Sequence, residues 1–278
     1  YHNDYVKCNA EGIARADCPE EQVQTYISSN PNLGPEESES TNIGIIWEKG
    51  MHSVAVDFFD TEISGIVTTV SVQDIIDATI LGPSYLAQLN SQGAYCTRTD
   101  TTATAPLSEC FRNPINGNDS SVTGTDIKYS GLFTSKVGDF DVNFNMVLMD
   151  KSESEAFFNG PVVNYVGLTS IPEYRYTIDV GHTLMSVPNL YKSLQYEYID
   201  EIADTTDANY NATSMVDSFD QVNLRAVYTV PGMENLSVNV AVRNLTKEDP
   251  PLTQSGTYNR LLHTDMGMQT FVGFTLEL

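Results

Sequence analysis

The strictest constraint on this chain is the alternation that runs from Asp220 to Val242. Val222, Leu224, Ala226 and Tyr228 interleave with Gln221, Asn223, Arg225 and Thr229. Successive side chains of an extended strand point to opposite faces, so the two sets occupy opposite sides. Val230-Pro231-Gly232-Met233 supplies a tight reversal. Beyond it, Leu236, Val238, Val240 and Val242 alternate with Ser237, Asn239, Ala241 and Arg243. Each strand has one apolar face and one mostly small, polar face that carries an arginine. A sandwich core accepts that pattern, and so does a wall with lipid on one side and water on the other.

The same period recurs along the chain. It predicts nine strands, at 41–49, 51–63, 122–135, 138–149, 173–184, 190–199, 219–230, 234–244 and 269–278. The fourth is the cleanest: Phe140, Val142, Phe144, Met146 and Leu148 oppose Asp139, Asp141, Asn143 and Asn145. In the last, Val272, Phe274, Leu276 and Leu278 share a face and no polar tail follows, so Leu278 itself is expected in a strand. Connections near 50, 137, 186 and 231 are short, whereas those at 63–120, 151–172, 200–217 and 244–268 are long. In an up-and-down meander alternate connections emerge at the same end, so one rim is trimmed and the other elaborated, as in an outer-membrane barrel. Tyr129, Tyr174, Tyr196, Tyr198 and Tyr228 lie toward strand ends, where an interfacial girdle would sit.

Between the strands, residues 1–39 read as an irregular acidic surface loop, with breaks at Pro31, Gly34 and Pro35. Within 63–120 the spacing predicts a short helix over Val72–Leu81 and a second over Ser84–Leu89. Cys8 and Cys18, and Cys96 and Cys110, bracket short polar segments and are expected to form two local disulfides. A zinc site competes weakly, since the spacings lack a CxxC element and the four histidines are scattered. Four sequons begin at Asn118, Asn211, Asn235 and Asn244, and two lie in or beside predicted strands, so chance accounts for them better than glycosylation.

Fourteen basic against 37 acidic residues give a formal charge of -23, which argues against nucleic acid as a partner. No run of 18 apolar residues exists for a membrane helix, which leaves a membrane barrel open. Tyr1 is not followed by a basic, apolar leader, so the chain is expected to be a mature protein or a piece of a longer one.

Four stretches resemble the C-terminal half of TonB-dependent outer-membrane receptors. Asn30-Pro31-Asn32-Leu33-Gly34-Pro35-Glu36 with Ser40–Trp47 is similar to that family's NPxLxPE segment and following strand. Val56-Asp57-Phe58-Phe59-Asp60-Thr61-Glu62-Ile63 resembles the next strand, Asn244–Pro251 the NLFDKDPP element, and Phe271–Leu278 the terminal strand. Thr246 and Leu278 depart from the pattern, standing where phenylalanine and an aromatic end residue are usual. The resemblance implies an all-β, antiparallel transmembrane barrel of about 22 strands enclosing a plug, of which residues 1–278 form a C-terminal part. It implies a receptor in the Gram-negative outer membrane that imports a scarce nutrient with inner-membrane energy, not an enzyme, and needing no cofactor. Its implied partners are membrane lipid, the plug and first strands absent here, the energy-coupling complex through those absent parts, and an unidentified small nutrient. The chain alone is not expected to transport.

No catalytic set stands out. Asp139, Asp141, Arg175, Asp179, Arg225 and Arg243 fall on the polar face and are the candidate lumen-facing residues, with the arginines expected to pair with the acids. The acidic loops read as solvated surface. The competing reading is a secreted or surface-exposed β-rich binding module, whose apolar faces would pack together as a sandwich.

Overall fold

The computed structural model describes residues 1–155, 162–168, 170–207 and 210–277. Nine strands form the main sheet: β1 (Glu37–Lys49), β2 (His52–Ser64), β3 (Ser120–Ser135), β4 (Gly138–Glu155), β5 (Tyr174–Leu184), β6 (Leu190–Ile199), β7 (Phe219–Thr229), β8 (Leu236–Arg243) and β9 (Gln269–Leu276). Each pairs only with its neighbours in sequence, from β9 to β1 in unbroken order, with the short Val162–Asn164 strand added beside β4. This is the expected meander.

The differences at strand ends have a common cause. β1 begins at Glu37 and β4 runs to Glu155, farther than alternation predicted. Glu37-Ser38-Glu39-Ser40 and Lys151–Glu155 are polar on both sides, so they extend the ladder without a hydrophobic period to announce it. At the other end β9 stops at Leu276. Glu277 N–H donates to the Asn235 carbonyl at 2.9 Å, and Asn235 Nδ2 returns a bond to the Glu277 carbonyl at 3.1 Å. The expectation for Leu278, like the middle of the 151–172 loop, lies outside the described residues.

The chain divides into two compact units. One comprises Tyr1–Glu39, Glu62–Ser121 and Glu153–Val163; the other comprises Ser40–Thr61, Val122–Ser152 and Asn164–Leu278. The first has its own apolar core of Val70, Ile75, Ala78, Leu89, Ala94 and Ile115. Its helices are α1 (Tyr5–Ala10), α2 (Val72–Leu81) and α3 (Pro83–Ser91). Helix α2 spans the predicted residues, and it starts where Ser71 and Asp74 form a capping box, each side chain bonded to the other's backbone N–H. Gly82, at φ 142°, breaks the two helices apart, and Pro83 opens α3. Ser71→Ala is expected to destabilise this unit by about 1 kcal/mol, read as earlier local exchange of the α2 amides; unchanged protection would show that the cap contributes nothing.

Residues 1–39 are not one irregular loop. Asp4 caps α1, and the N-terminal segment is held by partners far along the chain, including Gln73 Oε1, which accepts from Asn3 N at 3.0 Å, and Arg98. Such long-range contacts leave no local signature. Two disulfides, Cys8–Cys18 and Cys96–Cys110, lie in this unit, and no cysteine among the described residues is free to bind zinc.

Candidate functional site: the polar face of the sheet

Register fixes what alternation could not: which side chains stand beside which. One row across β4 to β7 reads Asn143, Asp179, Gln195, Asn223. The row on its turn side reads Asp141, Gly181, Ser193, Arg225, then Ala241 and Phe271 on β8 and β9. On its loop side lie Asn145, Thr177, Glu197 and Gln221, followed by Val147, Arg175 and Ile199. Asp139, Asp141, Arg175, Asp179, Arg225 and Arg243 therefore all occupy one face. Asp179, Gln195, Asn223, Arg225, Arg243 and Phe271 border a cleft of about 460 Å³ on it.

The acids and arginines do not pair as expected. Among the described residues no ion pair joins Asp139, Asp141 or Asp179 to Arg175, Arg225 or Arg243. The register interposes amides instead. Gln195 Nε2 donates to Asp179 Oδ2 at 2.7 Å, and Asn223 Nδ2 donates to Gln195 Oε1 at 3.0 Å and Glu197 Oε1 at 3.1 Å. Gln221 Nε2 donates to the other Glu197 oxygen, and Asn223 Oδ1 takes the Asn244 N–H at 2.9 Å. This network joins three strands and the start of the last loop. Sequence reasoning missed Gln195, Glu197, Gln221 and Asn223, although they share the alternating positions of the chosen residues.

Asp141 is positioned by a glycine. Tyr191 donates its hydroxyl to Asp141 Oδ2 at 3.1 Å, directly over Gly181. A Cβ at Gly181 would collide with both the Asp141 carboxylate and the Tyr191 hydroxyl. Both groups are side-chain ends that can swing aside, so Gly181→Ala is expected to cost about 0.5–1.5 kcal/mol, mainly the lost Tyr191–Asp141 bond, and Tyr191→Phe about as much. Equal chemical-denaturation midpoints for wild type and Gly181→Ala would contradict the account.

The opposite face is apolar and open. Its rows include Val142, Val180, Leu194, Leu224 and Val242, and Phe144, Ile178, Tyr196 and Val222. Ile45 and Phe274 are each 74% exposed, and Phe58, Phe133, Val180, Leu194, Val240 and Val272 are also exposed. Among the described residues these strands form no second sheet over them, as a sandwich would require. Toward the long loops Tyr174 and Tyr176 stack on Tyr198 at 5.7 and 5.1 Å between centroids. Tyr228 lies at the short-turn end, opposite Leu190. A tyrosine cluster at the loop end and Tyr228 at the turn end of an apolar band suit a membrane-spanning sheet. No helix among the described residues is long and apolar enough to cross a membrane. Nor do three or more His, Cys, Asp or Glu among them gather as a metal site.

A family model for the TonB dependent receptor-like β-barrel matches residues 9–245. The chain belongs to that family. TonB-dependent receptors reside in the Gram-negative outer membrane and are transport and receptor proteins, not enzymes. The sheet is correspondingly part of a 22-stranded type of barrel. Among solved receptors, the FrpB iron transporter from Neisseria meningitidis (F3-3 variant) is similar over 90% of this chain and 32% of its own, with a TM-score of 0.57 and 14% identity. The siderophore receptor PirA from Acinetobacter baumannii gives 0.59 and 14%, over 90% of this chain and 33% of its own. A mutant of the ferric enterobactin receptor PfeA from Pseudomonas aeruginosa gives 0.58 and 11%, over 90% and 32%. This chain thus spans about a third of the length of these receptors. No curated protein matches it.

Proposed function

We propose that this chain is the C-terminal part of the barrel wall of an outer-membrane active transporter, which binds a scarce nutrient at the cell surface and imports it with energy from the inner membrane. The two-faced wall carries the reading: an exposed apolar band on one side, and on the other a polar face with a cleft that holds uncompensated arginines. The short-turn rim faces the periplasm and the long connections face outward. Asp139, Asp141, Arg175, Asp179, Arg225 and Arg243 line the water-filled side, where the plug and the other strands, supplied by the rest of the receptor, complete the passage. Energy coupling also comes through those parts, so residues 1–278 alone do not transport.

FrpB, PirA and PfeA are named for iron, siderophore and ferric enterobactin. An iron chelate is therefore the first nutrient to test, with cobalamin and carbohydrates beside it. Deleting the full-length gene should abolish uptake of one labelled nutrient under limitation, and an uncoupler should stop that uptake in the intact strain. Uptake of every nutrient unchanged by deletion would overturn the proposal.

A further inference from the structure

The helical unit contains a small sheet with two unlike faces. Gln24–Tyr26 pairs in parallel with Leu107–Arg112, which pairs antiparallel with Ala94–Arg98. One row, Thr25, Cys110 and Cys96, carries the cross-strand disulfide; Cys110 is fully buried and Cys96 packs on the core. The row on the other face is Tyr26, Phe111 and Tyr95. These three rings stack, with centroids 5.3 and 4.8 Å apart and planes 23° and 24° from parallel. Neighbouring strands lie about 4.8 Å apart, so in-register rings stand face to face, and among the described residues no further strand pairs beside the outer π faces of the two end rings. Tyr26 is 41% exposed and Tyr95 36%. The adjoining row on this face is Gln24, Glu109 and Thr97, and the Tyr26 hydroxyl donates to Glu109 Oε1 at 3.3 Å.

Charge decides what such a surface takes. The unit's four basic side chains are already engaged. Lys7 lies 2.7 Å from Glu21, Arg15 lies 3.4 Å from Asp77 and over the Tyr5 ring, Arg98 lies 2.7 Å from Asp4, and Arg112 Nε donates to the Val70 carbonyl at 2.8 Å. Among the described residues none forms an ion pair with Glu109. Open aromatic faces beside an uncompensated carboxylate select a cation, and a guanidinium best, because it stacks flat on a ring while its N–H fork meets the carboxylate. We infer that the Tyr26–Phe111–Tyr95 ladder with Glu109 is a docking surface for a basic segment of another protein, which presents an arginine to it. Cross-strand stacking also steadies the sheet, but that role needs neither the carboxylate nor the open end faces.

The test uses the full-length receptor in detergent and a fluorescein-labelled hexa-arginine peptide at low salt, with maltohexaose as an uncharged competitor. Glu109→Gln and Tyr95→Ala should each weaken peptide binding by about fivefold or more, and Tyr95→Phe should bind as wild type. Glu11→Gln, an acid of the same unit off the ladder, should change it by less than about twofold. Equal weakening by Glu11→Gln and Glu109→Gln would mean that the peptide follows the general acidic field, and would overturn the assignment. So would displacement by maltohexaose, or no binding at all. If Tyr95→Ala loosens the sheet by hydrogen exchange, Glu109→Gln decides alone.

Discussion

Arg98→Ala is expected to destabilise the helical unit by about 3–5 kcal/mol, the cost of breaking a buried ion pair from one side. Asp4 has a side chain 1% exposed, and both its oxygens receive Arg98 nitrogens, at 2.7 and 2.8 Å. Arg98 also donates to the Ala105 carbonyl at 2.6 Å, so it ties the N-terminal segment to the Ala94–Arg98 strand and the turn that follows. Removing the guanidinium strands a buried carboxylate. Removing the acid is milder: Asp4→Asn keeps an acceptor for the Lys7 N–H, now 3.2 Å away, and Arg98 is still reached by water. The arginine variant should therefore lose clearly more stability than the asparagine variant.

The pH dependence of the same pair carries a sign. Burial alone would raise the Asp4 pKa, but the bonds from Arg98 and the Lys7 N–H, with the Arg98 charge, hold it below the ordinary 3.8. An acid whose folded pKa is depressed stabilises the fold above its unfolded pKa and loses that contribution as pH falls through the folded value. In Arg98→Ala burial is opposed only by the Lys7 N–H bond and the nearby His2, so the folded pKa rises and acid relieves the defect. The stability gap between wild type and Arg98→Ala should consequently narrow from neutral pH toward pH 4. Hydrogen exchange of α2 and the Leu107–Arg112 strand in the full-length receptor measures it; a gap that is small and flat with pH would show the pair to be dispensable.

What the sequence discloses and what it withholds divide along one physical line. Alternation tells which face a side chain takes, and it located all nine strands, because each keeps an apolar set on one side over most of its length. It says nothing about partners. The amides Gln195, Gln221 and Asn223 became visible only when register set them between Asp179, Glu197 and the arginines. The N-terminal segment shows no period of its own because its order comes from Gln73 and Arg98, 70 and 94 residues away. The aromatic ladder is hidden in the same way, since Tyr26 and Phe111 come from distant strands and no local period joins them. Resemblance carried the family from four short stretches, where composition alone left a sandwich open.

The membrane assignment of the two faces makes the sharpest demand on single residues. Leu194 stands in mid-row between Val180 and Leu224 on the apolar face, and it is exposed. If that face meets acyl chains, an arginine there must be desolvated or drag water and headgroups inward, at about 2–4 kcal/mol near the bilayer midplane. Asn145 is also exposed but lies on the polar face, opposite Thr177. The same arginine there stays in water and should shift stability by less than about 0.5 kcal/mol. Leu194→Arg should therefore lower the ratio of folded, membrane-inserted to unfolded full-length receptor roughly 30-fold or more when unfolding from lipid vesicles is followed in urea, while Asn145→Arg behaves as wild type. The contrast separates lipid from mere exposure, because on a water-facing surface both substitutions would be tolerated alike. Indistinguishable curves for the two variants would mean that the apolar face does not contact the bilayer, and the assignment of its opposite face to a water-filled passage would fall with it.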